Sequence, residues 1–298
     1  MQYGVTRMTI GCEDCLDISR DEFEKIKAAK LKVAEALSIE EKFNLLLENY
    51  WEFEQELLGI TLRRSLFSHH DWSAIQNEIH GINRRVVNLL TTTRLYNDQL
   101  RHSVRSMYGK QAFVSLKGDM QKEYDSSIGY RVLEGLRNYV QHRDLPVYGL
   151  EHGANVASSH PLLIRRTITP KLEVSRLRED KRFNKVLLAE LEVIGKSIDL
   201  KPLIRQSMEC YGRIHGSIRQ LMEADLVHCD RTIVGVRDSY AEGFGKGFLG
   251  LAIVEMTDTG EITGSLNIFQ EPIDRRKWLI KKNGLTRFNS EIISSESA

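Results

Sequence analysis

The sequence predicts an α+β protein in which an antiparallel, all-α helical bundle precedes a smaller α+β domain with a C-terminal hairpin. Three observations predict this class. Apolar residues recur at helical spacing through the first half. After Pro146 glycine, serine and proline become frequent, which is typical of a linker. Beyond it, β-like runs and helical stretches follow one another. We expect an irregular segment over 1–20, a helical bundle over 21–148 and an accessory or sensor domain over 149–298.

Four helices with short connections are expected in the first half, which gives an antiparallel bundle. Ser38, followed three residues later by Glu41, is a capping signal that predicts the start of the second helix. Gly109 predicts the end of the third. The expected helices cover 21–37, 38 onward, 71 or 73 to 109, and a fourth that starts between 119 and 127 and runs to 142.

The second half alternates between strand and helix signals. Pro170 interrupts the first β-like run. An Asp-Thr-Gly turn at 258–260 predicts the hairpin. The expected strands are 162–169, 172–177, 248–256 and 261–269, and the expected helices are 184–195 and 199 or 201 to about 227.

Composition indicates an ordinary globular protein, with 298 residues, 41% hydrophobic and 28% charged. No apolar run of about 18 residues predicts a membrane span, and the N-terminus lacks a basic-then-apolar signal, which indicates the cytoplasm. Four cysteines fit a reducing compartment. Cys12 and Cys15 have zinc-knuckle spacing, but Cys210 and Cys229 form no second close pair, so we expect plain thiols and no metal.

Charge is spread unevenly although the net charge is only +1. Residues 21–56 carry ten acidic side chains and five lysines, whereas 63–110 carry eight basic and three acidic side chains. The basic stretch fits either an RNA track or a helix face that complements the acidic one. The sequence leaves both interpretations open.

One short motif carries chemistry: Arg137-Asn138-Tyr-Val-Gln-His142, near the end of the fourth helix. A guanidinium is always charged and binds phosphate through a planar fork of donors. An imidazole titrates near neutral pH and can move a proton on or off a ribose hydroxyl. The simpler interpretation is an arginine on a solvated edge and a histidine that suits the helix C-terminal dipole.

This motif resembles the R-x4-6-H signature of the HEPN superfamily, whose members often place a polar residue after the arginine. The resemblance covers roughly residues 20–150. It implies a metal-independent endoribonuclease without a cofactor, in which Arg137 and His142 act on an RNA substrate and Asn138 steers the arginine or binds phosphate. It also implies a role as a toxin or phage-defence effector, with a possible antitoxin or trigger ligand. Asp144 stands where the nucleotidyltransferase-paired branch often has tyrosine, which puts membership of that branch in doubt.

The spacing of the motif sets a geometric condition. Five residues along an ideal helix rotate a side chain by about 140°. Arg137 and His142 therefore converge only if the helix unwinds near Gln141, or if a second chain completes the site. HEPN nucleases use a twofold dimer, so the resemblance implies a homodimer with an isologous interface. Two rivals remain, a non-catalytic HEPN-like binding or regulatory module and a helical protein unrelated to HEPN.

Several other patterns are weaker. A second Arg-x4-His match at Arg64 and His69 lacks the polar residue and is expected to be coincidental. Residues 243–250 contain a G-x-G-x-x-G string, which follows a helical stretch and precedes a strand, the wrong order for a dinucleotide site. The resemblance also implies a supporting residue on the third helix, for which four residues are equal candidates: Glu78, Asn88, Thr92 and Asp98. A basic cluster offers phosphate contacts but is interrupted by acidic residues: Arg165, Arg166, Lys171, Arg176, Arg178, Lys181, Arg182 and Lys185.

Overall fold

A computed structural model describes residues 1–11, 13–67, 71–156, 164–245, 247–284 and 288. The helices found in these residues are α1 (Arg20–Leu66), α2 (Trp72–Ser126), α3 (Ile128–His142), α4 (Val174–Glu179), α5 (Lys185–Ile194), α6 (Leu200–Phe244) and α7 (Glu271–Lys282). The strands are β1 (Gln2–Arg7), β2 (Cys15–Ile18), β3 (Gly149–Val156), β4 (Ile164–Glu173), β5 (Ser197–Asp199), β6 (Leu251–Met256) and β7 (Ile262–Asn267). The described part of the chain is mostly helical with two small antiparallel sheets, which confirms the α+β class.

The expectation of an irregular N-terminal segment was wrong, because β1 and β2 lie within residues 1–20. They belong to a four-stranded sheet in the order β2-β1-β6-β7. Val5 of β1 lies opposite Ile253 of β6, and both are fully buried in one apolar cluster with Phe23. The second sheet has the order β3-β4-β5.

The chain forms two compact units, which divide it differently from the expected domains. Unit 1 contains residues 1–41 and 217–284, and the described part of unit 2 is mainly 42–216. The predicted domains followed chain order. The observed units do not, because α1 and α6 each run from one unit into the other.

The predicted break at Ser38 was wrong, because α1 is one helix of 47 residues. Ala36, Ile39 and Phe43 are all buried, so the apolar face continues through the supposed start signal. Neither glycine nor proline occurs near Ser38 to end the first helix. A continuous buried face therefore outweighed the local capping pattern.

The helix starts after residue 70 agree better with expectation. Asp71 caps α2, and its Oδ1 accepts a 2.8 Å hydrogen bond from the backbone N–H of Ala74. Gly109 interrupts α2 with a φ of 76°, a left-handed conformation that suits glycine, although the helix resumes and continues to Ser126. Ser127 caps α3 by accepting a bond from the N–H of Tyr130.

In the second half the predicted helix 184–195 and the hairpin are confirmed as α5 and β6–β7. The expected strand 172–177 was wrong beyond Glu173, because α4 begins at Val174. Helix α6 runs to Phe244, past the expected end near 227, since buried Ile233 and Tyr240 extend its apolar face.

Candidate functional site

Helix α3 carries the predicted motif and is strongly amphipathic. One face is buried and includes Tyr130, Leu133, Leu136 and Tyr139. The helix stays regular through His142 and ends at Arg143, whose backbone N–H donates a 2.8 Å bond to the carbonyl of Tyr139. The motif therefore lies on a fixed helical segment that is closed one residue after its histidine.

A polar groove runs along α3 in unit 2, and we call it the α3 groove. Asn138 and His142, one helical turn apart, both line it. It has a volume of about 510 Å³. Its lining residues are Tyr124, Arg131, Glu134, Gly135, Asn138, His142, Asp180, Arg182, Phe183, Asn184 and Leu187. Two of the three predicted site residues thus share a concave surface.

Arg137 is not among the residues that line the groove. It is half-buried, and its Nη1 donates a 2.9 Å hydrogen bond to Oδ1 of Asn138. Because α3 does not unwind near Gln141, Arg137 and His142 keep the wide angular separation of an ideal helix. A single chain therefore does not bring the predicted guanidinium and imidazole together on one helix face.

Two other guanidinium groups line the groove. Arg131 forms a bidentate ion pair with Glu190, with distances of 2.6 and 2.7 Å. Arg182 is exposed, and among the described residues its guanidinium has neither a hydrogen bond nor an ion pair, whereas its backbone N–H donates to Asp180. With Glu134 and Asp180 also present, the groove holds both signs of charge and is not a simple anion site.

A buried hydrogen-bond network supports the groove from behind. Nδ2 of Asn97 donates a 2.9 Å bond to Oε1 of Glu134 and a 3.2 Å bond to the hydroxyl of Tyr211. Burial, reinforced by the nearby Glu134 carboxylate, raises the pKa of Tyr130 to about 12, and burial also raises the pKa of Tyr211. Both phenols therefore stay protonated at neutral pH. The network fixes the position of the Glu134 side chain. The sequence analysis did not predict Glu134 as a site residue, although it lies one helical turn before Asn138.

None of the four proposed supporting residues lines the α3 groove. Glu78 accepts a 2.8 Å bond from Arg64, and Asp98 forms a 2.7 Å ion pair with Arg94. The Thr92 hydroxyl bonds a backbone carbonyl of its own helix, and Asn88 is exposed. In the second Arg-x4-His match, Arg64 is therefore used in the ion pair with Glu78. His69 lies outside the described residues.

Charge complementarity explains part of the basic stretch, because Arg85 of α2 pairs with Glu52 and lies 3.7 Å from Glu56 of α1. Within the later basic cluster, Arg176 stacks on Tyr148 at 3.9 Å and Arg178 pairs with Glu192 at 2.6 Å. Of that cluster only Arg182 is a groove residue.

The remaining patterns stand as follows. The glycine-rich string lies between the end of α6 and the start of β6, which confirms the order unsuited to a dinucleotide site; Lys246 within it is outside the described residues. Cys15 lies in β2, and Cys12 is likewise outside them. In the part of the chain that the structure describes, no helix is long and apolar enough to cross a bilayer.

Comparison with known proteins adds no relative: no family model, no curated protein and no solved structure matches the chain.

Proposed function

We propose that this protein is a metal-independent endoribonuclease of HEPN type, in which two copies of the chain complete each active site. This proposal rests on one observation: His142 and Asn138 of the motif line the groove, whereas Arg137 does not line it and is hydrogen-bonded to Asn138. One copy supplies the imidazole in a groove that admits a nucleotide, and the guanidinium comes from the second copy. The role as a cytoplasmic toxin or phage-defence effector, held by an antitoxin or a trigger ligand, rests on the motif resemblance.

The proposed reaction uses the substrate's own 2′-hydroxyl as nucleophile. His142 removes the hydroxyl proton, the oxygen attacks the adjacent phosphorus, and the bond to the 5′-oxygen breaks as that oxygen takes up the proton from the His142 imidazolium. The products are a 2′,3′-cyclic phosphate and a 5′-hydroxyl. Charge on the pentacoordinate phosphorus is stabilised by the Arg137 guanidinium. Asn138 of the same copy holds that guanidinium through its 2.9 Å hydrogen bond.

The test is cleavage of single-stranded RNA in the presence of EDTA, with the new ends identified by mass. We expect a 2′,3′-cyclic phosphate, and we expect Arg137→Ala and His142→Ala each to reduce the rate by about 10²-fold or more. Gln141→Ala is the matched control, since Gln141 is exposed on the same helix between the two. Undiminished cleavage by His142→Ala contradicts the proposed chemistry.

A second candidate is a non-catalytic module that binds a partner or a nucleotide through the same groove. The bond between Arg137 and Asn138 favours it, because it engages both polar side chains within one chain. In that case His142→Ala weakens binding of a nucleotide or RNA probe, and neither the parent protein nor any variant cuts RNA.

A further inference from the structure

Glu134 brings to the α3 groove a carboxylate oxygen that no donor in the described part of the chain contacts. Its Oε1 accepts a 2.9 Å hydrogen bond from Nδ2 of Asn97 and a longer one, 3.5 Å, from the hydroxyl of Tyr211. Its Oε2 has neither a hydrogen bond nor an ion pair among the described residues. Asn97 is only 1% exposed and Tyr211 is fully buried, so the core holds this carboxylate in place. Glu134 therefore presents a fixed acceptor to an occupant of the groove.

Two other lining residues suit the groove to a nucleotide. Tyr124 is half-buried, and its ring lies edge-on to that of Tyr130 with the centroids 6.5 Å apart. An aromatic ring stacks on the face of any base, so it adds affinity without selecting one. Arg182 has no partner for its guanidinium among the described residues and can bind a phosphate. A volume of about 510 Å³ is in the range of small-ligand sites.

A fixed carboxylate distinguishes guanine from the other three bases. The Watson–Crick edge of guanine carries two adjacent donors, N1–H and the N2 amino group, which match the two oxygens of a carboxylate. Adenine and cytosine place an acceptor nitrogen beside their amino group, and uracil flanks its N–H with two carbonyls. Each of these three bases therefore brings a lone pair against the carboxylate. Oε1 of Glu134 can still accept a second bond, because Asn97 uses one of its two lone pairs.

We propose that the α3 groove binds a guanine nucleotide of the RNA. Guanine N1–H and its N2 amino group donate to the Glu134 carboxylate, the base stacks on Tyr124, and the Arg182 guanidinium binds a phosphate. Glu134 is then the residue that determines base specificity. This inference rests on the proposed function, because it takes the α3 groove as the RNA site.

The position of Glu134 on α3 relates the bound base to the cleaved bond. Glu134, Asn138 and His142 are spaced four residues apart, so they follow one another along one face of the helix. The first and last of them are about 12 Å apart along the axis. A nucleotide bound by its base at Glu134 extends along this face toward His142, with its 3′-phosphate leading. Cleavage is therefore expected on the 3′ side of guanosine.

The first experiment measures binding of the four nucleoside 3′-monophosphates by calorimetry, a readout that does not require cleavage. We expect guanosine 3′-monophosphate to bind about tenfold more tightly than the adenosine, cytidine and uridine compounds, the discrimination typical of a bidentate contact to a base. Inosine 3′-monophosphate lacks the 2-amino group and should bind more weakly than the guanosine compound. Equal affinity for all four bases overturns the inference.

Three variants separate base recognition from phosphate binding. Glu134→Gln keeps an oxygen for Asn97 but turns an amide donor toward the base, so the preference for guanine should fall about tenfold. Arg182→Ala should weaken all four nucleotides by a similar factor and leave the preference unchanged. Asp180→Asn is the matched control, because it removes a carboxylate from the same groove yet keeps the Oδ1 that accepts a 3.0 Å bond from the backbone N–H of Arg182. It should retain the preference for guanine.

Thermal melting of each variant establishes that it is folded. A preference for guanine that survives Glu134→Gln in a folded protein overturns the inference.

Mapping of the cleaved ends distinguishes failure of this inference from failure of the proposed function. On an RNA that contains all four bases, the 2′,3′-cyclic phosphates should lie after guanosine. Cleavage without regard to the base overturns the inference and leaves the proposed reaction standing. A protein that binds guanosine 3′-monophosphate selectively yet cuts no RNA supports the inference and contradicts the proposed reaction.

Discussion

Nη1 of Arg137 donates a 2.9 Å hydrogen bond to Oδ1 of Asn138, its neighbour in α3. Asn138 lines the α3 groove and Arg137 does not, so this bond joins the groove to a guanidinium outside it. An exposed bond of this kind adds little to stability, but it restricts a side chain that otherwise has many rotamers. Within the proposed site, Asn138 is thus a positioning residue for Arg137.

Loss of this bond should lower the rate of RNA cleavage without unfolding the protein. Asn138→Ala should reduce kcat about tenfold, because a misplaced catalytic group costs rate even when it is still present. Asn138→Asp keeps an acceptor for Arg137 and should retain more activity than alanine. Single-turnover cleavage and a thermal melt of each variant check this, and an alanine variant as fast as the parent rules out the positioning role.

The connection after α3 should depend on Asn83, which is 2% exposed. Its side chain donates a 2.8 Å bond to the carbonyl of Val147 and accepts a 3.0 Å bond from the N–H of the same residue. Asn83→Ala leaves both backbone groups unpaired and should cost about 2–4 kcal/mol in the free energy of unfolding. The exposed Asn88→Ala should change it by less than about 0.5 kcal/mol. Urea denaturation measures both, and equal losses would refute this assignment.

Much of the fold was predictable where local chemistry decides it. The caps at Asp71 and Ser127 and the positive φ of Gly260 in the hairpin turn are properties of a few adjacent residues. The strands β1 and β2 were not predictable in this way. Besides nearby β2, β1 pairs with β6, some 250 residues later in the chain, and no local pattern reveals this long-range pairing.

The candidate site could likewise be predicted only where local sequence decides it. The motif on α3 was recognisable, and so was the angular problem that Arg137 and His142 present. The opposite wall of the groove, with Asp180 and Arg182, comes from a segment about 40 residues away that only tertiary packing brings to α3. Glu134 was overlooked because nothing in the sequence shows that Asn97 holds it in place.

A buried ion pair in unit 1 should make a large contribution that depends on both partners. Nη2 of Arg276 donates to both carboxylate oxygens of Asp230, at 2.8 and 2.7 Å, and both side chains are at least nine-tenths buried. Arg276→Met removes the bidentate partner of a buried carboxylate, which keeps only Lys277 at 3.1 Å, and should cost up to about 3 kcal/mol. Adding Asp230→Leu should recover most of that loss. Denaturation of Arg276→Met, of Asp230→Leu and of the double variant gives the coupling energy between the two residues. Purely additive losses of stability would contradict this contribution of the ion pair.

The ion pair between Glu123 and Arg213 should make stability depend on pH. Burial alone raises the pKa of Glu123, but hydrogen bonds from Arg213 (3.0 and 2.6 Å) and Cys210, together with the positive charges of Arg213 and Lys122, outweigh it, so the net shift of the pKa is downward. A lowered folded pKa stabilises the protein above the ordinary glutamate value of about 4.3, and this contribution is lost as the pH falls through the folded value. The parent should therefore exceed Glu123→Gln in melting temperature at pH 7, and the difference should shrink toward pH 3. A constant difference argues against the shift.

The most direct test of the shared site is complementation between two inactive variants. Arg137→Ala still carries His142, and His142→Ala still carries Arg137, so a mixed dimer holds one guanidinium and one imidazole from different copies. We predict that each variant alone is inactive in EDTA and that mixing them after dissociation restores about a quarter of the parent's cleavage rate, as expected for random reassortment into twofold dimers. A mixture that forms mixed dimers yet stays as inactive as its components would contradict the account.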